Sequence, residues 1–194
     1  MALSDVQFSK FSEMAVGMIL TFLSQGRLEC LLPMSDDERR DIETHLKEHF
    51  RLSLAIQVKA AHVLYRHGSI QRLQKRFVVK ANRLISDPFF FYFFGYLDTK
   101  ALVYRPPVFF VPSEVVHREA LHKRVGNLIY YNFVASMDAR SHDKWHEYAF
   151  DPAEFAKWVM AFLREQAQHR RLTPASSLQT ALATPGGILV ARAA

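Results

Sequence analysis

Four side chains in the N-terminal third of the sequence have the types and spacing that phosphoryl chemistry asks for: Glu13, Asp41, Gln57 and Lys59. Cutting a phosphodiester calls for a divalent cation, which offsets charge developing on the phosphate and lowers the pKa of an attacking water. Hard oxygen donors suit Mg²⁺, or Mn²⁺ in its place. Asp41 and Glu13 offer carboxylates, and Gln57 offers a neutral carbonyl oxygen. Side chains alternate along a strand, so Lys59 shares a face with Gln57, where its ammonium could hold the water or offset phosphate charge.

These residues need elements to carry them. Across residues 5–25, Phe8, Phe11, Ala15, Met18 and Phe22, with Met14 and Ile19 beside them, form the stripe of an amphipathic helix that puts Glu13 at mid-length. Gly26 stands where a C-cap glycine belongs. RLECLLPM reads as a strand stopped by Pro33. The acidic stretch that follows, with Asp36, Asp37, Glu38, Asp41 and Glu43, has two readings. Ser35 with Glu38 fits a capping box and Ile42, Leu46 and Phe50 fit a helix face, while residues 41–46 also fit a short strand after a turn. Beyond it Leu52, Leu54, Ile56 and Val58 alternate with Ser53, Ala55, Gln57 and Lys59, which predicts a strand over 52–59.

In that order and spacing the chain resembles the PD-(D/E)xK nuclease-like superfamily, in the variant where Gln replaces the acid of the last motif, as in Mrr-like restriction endonucleases. The matching segments are FSEMAVGMIL around Glu13, LPMSDDERRDIE around Asp41 and LAIQVKAA around Gln57 and Lys59. The resemblance implies an α/β (α+β) fold, a restriction-endonuclease-like mixed sheet flanked by helices, and Mg²⁺-dependent hydrolysis of DNA. It implies roles as well: Asp41 as principal metal ligand, Gln57 in place of the second acidic ligand, Glu13 as the helix carboxylate and Lys59 assisting the water. Arg40 stands where the superfamily has its proline, and Asp36 and Asp37 are alternative carboxylates to Asp41. Gln57 brings no charge, so a cation would be held less tightly than by an acid.

The rest of the sequence fits a nucleic-acid partner. Lys+Arg exceed Asp+Glu by 25 to 19, a net charge of +6, and residues 60–86 hold Arg66, Arg72, Lys75, Arg76, Lys80 and Arg83 without one acidic residue. Arg66, Arg72, Lys75, Arg76 and Lys80 are the candidate phosphate contacts, DNA being the expected partner. A module that binds nucleic acid or protein without catalysis, on a degenerate nuclease fold, is the competing reading. FFFYFF at residues 89–94 is far too short to cross a bilayer as a helix and reads as a buried strand. No membrane association is expected.

Residues 102–111 read as another strand, its prolines 106, 107 and 112 marking edges or bulges. Residues 113–123 fit a helix capped by Ser113, 128–134 a strand, and 151–166 a helix with Asp151 as N-cap and Pro152 in its first turn. A single domain over 1–168 and a flexible or partner-ordered tail over 169–194 follow, with dimerisation through the Phe-rich strands left open. One cysteine, Cys30, excludes an internal disulfide, and together with the polar N-terminus it fits a cytoplasmic protein. His45-Leu46-Lys47-Glu48-His49 matches the inverted zinc-protease pattern H-x-x-E-H, for which Glu114 or Glu119 could be a third ligand. His142, Asp143 and His146 around Trp145 could suggest another metal cluster, although Trp145 and Tyr148 closing a loop over the core explains the segment more simply.

Overall fold

The computed structural model describes residues 3–33 and 40–170. Along the chain run α1 (Asp5–Leu23), β1 (Leu28–Leu31), β2 (Ile42–Leu46), β3 (Ser53–Ala61), β4 (Tyr65–His67), β5 (Ile70–Lys80), β6 (Phe90–Asp98), β7 (Val103–Pro112), α2 (Ser113–Glu119), β8 (Leu121–Val125), β9 (Leu128–Ser136), β10 (Ala149–Phe150) and α3 (Pro152–His169). A short helical turn, Ala81–Arg83, follows β5.

Local chemistry sets the ends of α1. The Ser4 side chain accepts from the Gln7 backbone N–H while the Gln7 side chain accepts from that of Ser4, a reciprocal capping box. At the other end Gln25 N–H donates to Phe22 O and Gly26 N–H to Thr21 O, the paired bonds of a Schellman motif. The left-handed residue just past the cap is therefore Gln25, with φ 56°, and Gly26, with φ 71°, comes one place later than expected.

Two sheets form. The larger runs β1-β2-β3-β6-β7-β10 and is mixed: β3 and β6 are parallel, and every other neighbouring pair is antiparallel. The smaller, β4-β5-β9-β8, is antiparallel throughout. The alternation of β3 divides the larger sheet into two faces. Leu54, Ile56, Val58 and Ala60 turn toward α1 and α3, where Val16, Leu20, Phe155 and Leu163 cover them. On the other face Phe94 and Phe109 meet Phe133 and Trp145, and the Phe94 and Phe133 rings stack with centroids 3.7 Å apart. The fold is thus a mixed sheet flanked by helices, with a second small sheet on its far face.

Several expectations change on contact with the structure. Residues 42–46 are strand, because their backbone pairs with β1 on one side and β3 on the other; the helix option for this stretch is overturned. Ser35, Asp36, Asp37 and Glu38 lie outside the described residues, as does the tail from 171 onward. FFFYFF is a buried strand from Phe90 onward, with Phe89 partly exposed in the turn before it; Phe90–Phe94 sit mid-sheet between β3 and β7 with both faces covered, so they offer no surface for a second copy. Ser113 is the first residue of α2 rather than its cap, and its hydroxyl is held at Asp87, donating to that residue's O and accepting from its N–H. Residues 121–123, expected in that helix, instead form part of β8 and pair with β9 across a turn at Gly126. Among the described residues no helix is long and apolar enough to cross a membrane.

Candidate active site

The place of Asp41 follows from where a ladder ends. Its N–H donates to Ile56 O at 3.0 Å, and the β2–β3 register stops at Ile42 opposite Ile56. Val58, two residues further on, has its N–H beyond the end of β2, and the Asp41 carboxylate takes the place of the missing backbone acceptor at 2.6 Å. Gln57 Nε2 lies 3.0 Å from both Asp41 oxygens. The amide nitrogen of Gln57, not its oxygen, thus faces the carboxylate and fixes its orientation.

Glu13 arrives from the opposite direction. It lies on the buried face of α1, only 6% exposed, where Ser9 donates to it at 3.1 Å and Lys10 pairs with it at 2.8 Å. A glutamate at a helix surface is ordinarily solvated, so its burial here is informative. The adjoining turn is tied to the sheet by Tyr104, whose hydroxyl donates to Ser12 O at 3.0 Å. Gly95 makes that possible: a Cβ there would sit 2.7 Å from the Tyr104 ring, and the β6–β7 register is irregular between Phe94 and Tyr96.

Asp41 feels both neighbours. Burial is the largest influence and pushes its carboxyl above the ordinary range; the Lys59 ammonium and the Val58 N–H pull the other way, and the Glu13 charge adds to the rise. Glu13, Gln57 and Lys59 are therefore each within electrostatic or hydrogen-bonding reach of Asp41. The oxygen donors that meet here are the Asp41 carboxylate, its pKa raised by burial, and the Glu13 carboxylate within electrostatic reach of it, a pair of hard ligands of the kind that suits Mg²⁺. Among the described residues there is no group of three or more His, Cys, Asp or Glu that could hold a metal, so the fit rests on two acids and neutral oxygens.

Lys59 shares a cavity with Gln57, as strand alternation requires, and its ammonium lies 5.9 Å from the centre of the Phe77 ring. It opens onto two concavities. One, of about 310 Å³, is bounded by Asp5, Ser9, Ser12, His62 and Lys75. The other, of about 250 Å³, is bounded by Gln57, Phe77, Lys80, Arg83 and Tyr92.

The five candidate phosphate contacts do not form one patch. Lys75 falls on the β5 face that carries Leu73 and Val79, beside Lys59, and burial holds its ammonium below the ordinary value. Arg72 and Arg76 have the opposite parity, and Arg66 is on β4 at the hairpin. Lys80 lines the second concavity. Arg83 and Tyr92 also belong to that wall, beyond the five candidate contacts. The single Tyr within a run of Phe was the available signal, since a hydroxyl there needs a polar neighbour, and the register sets Tyr92 beside Gln57.

The other motifs resolve structurally. His45 is buried on β2 with Nε2 3.0 Å from Glu29, and Glu48 sits in a turn at φ 71°, so His45 and His49 are not a helical turn apart. Asp143 accepts from Ser136 N–H at 2.6 Å and Trp145 N–H at 2.9 Å, tying the loop that buries Trp145. Cys30 is partly buried with Sγ 3.5 Å from Thr44 Oγ1.

No family model matches the chain. No curated protein matches it either. Among solved structures, its fold is similar to that of a bacterial homing endonuclease, I-Ssp6803I, with a TM-score of 0.51 at 14% identity; the match covers 89% of this chain and 100% of that one. The likeness is one of fold.

Proposed function

We propose that this chain is a metal-dependent nuclease of the PD-(D/E)xK type, hydrolysing DNA phosphodiester bonds with Mg²⁺ or Mn²⁺ at Glu13, Asp41, Gln57 and Lys59. The observation that supports it is the meeting of helix α1, the end of β2 and the middle of β3 at Asp41, which gathers two acids, an amide and an ammonium from distant parts of the chain. Its structural neighbour is a homing endonuclease, which agrees with that reading.

Asp41 and Glu13 would hold the cation, and Gln57, whose Nε2 donates to both Asp41 oxygens, would lend its amide oxygen only after turning over. When bound, the ion would offset charge on the phosphate and lower the pKa of a water. Gln57 and the Val58 N–H keep the Asp41 carboxylate in one orientation, so little ordering is left for the bound state. Lys59, on the strand face beside Gln57, presents an ammonium that can donate to a phosphate oxygen or hold a water against it.

Supercoiled and linear DNA incubated with Mg²⁺ or Mn²⁺ test this directly. Wild type should convert substrate, while Asp41→Asn and Lys59→Ala should lose at least about a hundredfold in rate, the usual scale for removing an electrostatic or acid–base group. Equal conversion by all three would remove the catalytic assignment. Salt-sensitive binding without turnover in wild type would favour the non-catalytic module instead.

A further inference from the structure

We infer that the concavity between β3, the second half of β5 and the Ala81–Arg83 turn is a seat for a phosphate oxyanion, with Lys80 and Arg83 as its ligands and Lys59 at its boundary with the candidate centre. The inference rests on the reading of that centre as one facing a phosphate backbone, and it adds where the neighbouring phosphate goes.

Four observations carry it. The wall is of one charge sign: Lys59, Lys80 and Arg83 line it, among the described residues no carboxylate does, and Gln57 and Tyr92 add polar groups. A concavity of about 250 Å³ falls below the ~300–1,000 Å³ of pockets that take whole small molecules, so it suits an ion-sized group with its water. Its frame is stiff. Phe77 stacks between Tyr92 and Tyr131, and Tyr92 is held from behind by His117 Nε2 at 3.0 Å, with His117 Nδ1 in turn 2.7 Å from Ser86 Oγ. Finally, Lys59 lines both this concavity and the one beside Lys75, but the latter includes the Asp5 carboxylate, which opposes an anion. A strand with one phosphate at the centre would therefore place an adjacent one against Lys80 and Arg83, where a guanidinium can bind two phosphate oxygens at once.

Lys80 and Arg83 are exposed, so replacing them leaves the core intact. The test is equilibrium binding of a fluorescein-labelled DNA duplex in EDTA, across a salt series, to wild type and to the Lys80→Ala/Arg83→Ala double variant. Each phosphate contact contributes roughly 0.9 to the slope of log affinity against log salt, so the double variant should lose about two units of slope and bind about tenfold or more weaker. The control is Lys123→Ala/Arg124→Ala on exposed β8, which removes the same formal charge and should leave the slope near wild type. Duplexes with and without 5′-phosphates separate the sources: loss on both assigns the seat to a phosphate within the strand, and loss only on the phosphorylated duplex assigns it to a terminal phosphate. A wild-type slope in the double variant, or an equal drop in the control, overturns the seat. Because binding is read without divalent cation, a failure to cleave DNA leaves this result standing, and a failed seat leaves the candidate centre untouched.

Discussion

Replacing Asp41 by asparagine separates the charge of this residue from its shape. An Asn oxygen can still accept the Val58 N–H, so the 2.6 Å contact becomes a neutral hydrogen bond rather than a charge-assisted one, a loss of about 1 kcal/mol. Against that, the buried charge disappears; burial is the largest influence on Asp41 and, together with the Glu13 charge, outweighs Lys59 and the hydrogen bonds, since its carboxyl is raised overall. Each unit by which a folded carboxyl lies above its unfolded value is worth about 1.4 kcal/mol.

The sign is fixed by proton counting. With the folded pKa above the unfolded one, near 3.9, the folded state binds more protons between the two values, so stability falls as pH rises through that window and stays lower above it. Without divalent cation, Asp41→Asn should therefore be more stable than wild type at pH 7 and melt at a higher temperature. The gap should close as pH falls below the folded pKa and wild-type Asp41 takes up its proton. Calorimetric melting of both proteins in EDTA from pH 7 to pH 4 measures it. A variant less stable than wild type at pH 7 would refute the reasoning, because it would mean that Lys59 and the Val58 N–H more than compensate the buried charge. The predicted result is the signature of a residue kept for chemistry at the expense of stability.

The His117 imidazole is pushed down to about 4 by burial, with a smaller contribution from His122, so the unfolded chain binds more protons between about pH 6.5 and 4 and stability should fall as pH drops through that range. Urea titrations should show a loss of up to about 3 kcal/mol in wild type that is absent from His117→Gln. Tyr104→Phe removes the bond to Ser12 O and should lower the unfolding free energy by about 1 kcal/mol. Because that bond braces the turn carrying Glu13, the same variant should also cleave DNA more slowly than wild type, and unchanged cleavage would show that α1 needs no such brace. Gly95→Ala should be worse than Tyr104→Phe in both assays, since its Cβ would press on the Tyr104 ring at 2.7 Å and on Phe93 at 2.9 Å.

What the sequence reveals here is what short-range periodicity encodes. The alternation through Leu54, Ile56 and Val58 identifies β3 and puts Gln57 and Lys59 on a common face, and the stripe of α3 marks a helix that covers the sheet; the stripe read on α1 marks the helix but not its buried face, because Met14, Met18 and Phe22 are exposed while Val16 and Leu20 are buried. The stretch from Ile42 to Leu46 was undecided because four-residue spacing and strand alternation coexist in it; pairing with β1 and β3 decides, and that information lies in other segments. The burial of Glu13 is not legible in the sequence either, since it follows from α1 packing through Val16 and Leu20, on a face other than its longest apolar stripe. The basic zone read as one patch because charge counting ignores parity: β5 sends Lys75 to one face and Arg72 and Arg76 to the other. At the C-terminal side of β7, a serine that resembled a cap proved to be a tether to Asp87.

The central claim is that Asp41 and Glu13 hold one cation beside Gln57 and Lys59. A crystal of the protein soaked in Mn²⁺, with anomalous diffraction collected at the manganese edge, puts that to the most direct test. One strong anomalous peak within about 2.3 Å of an oxygen of Asp41 and of Glu13 is the expected result. Manganese bound only elsewhere, or no peak between these two carboxylates under conditions where the protein is otherwise intact, would contradict it.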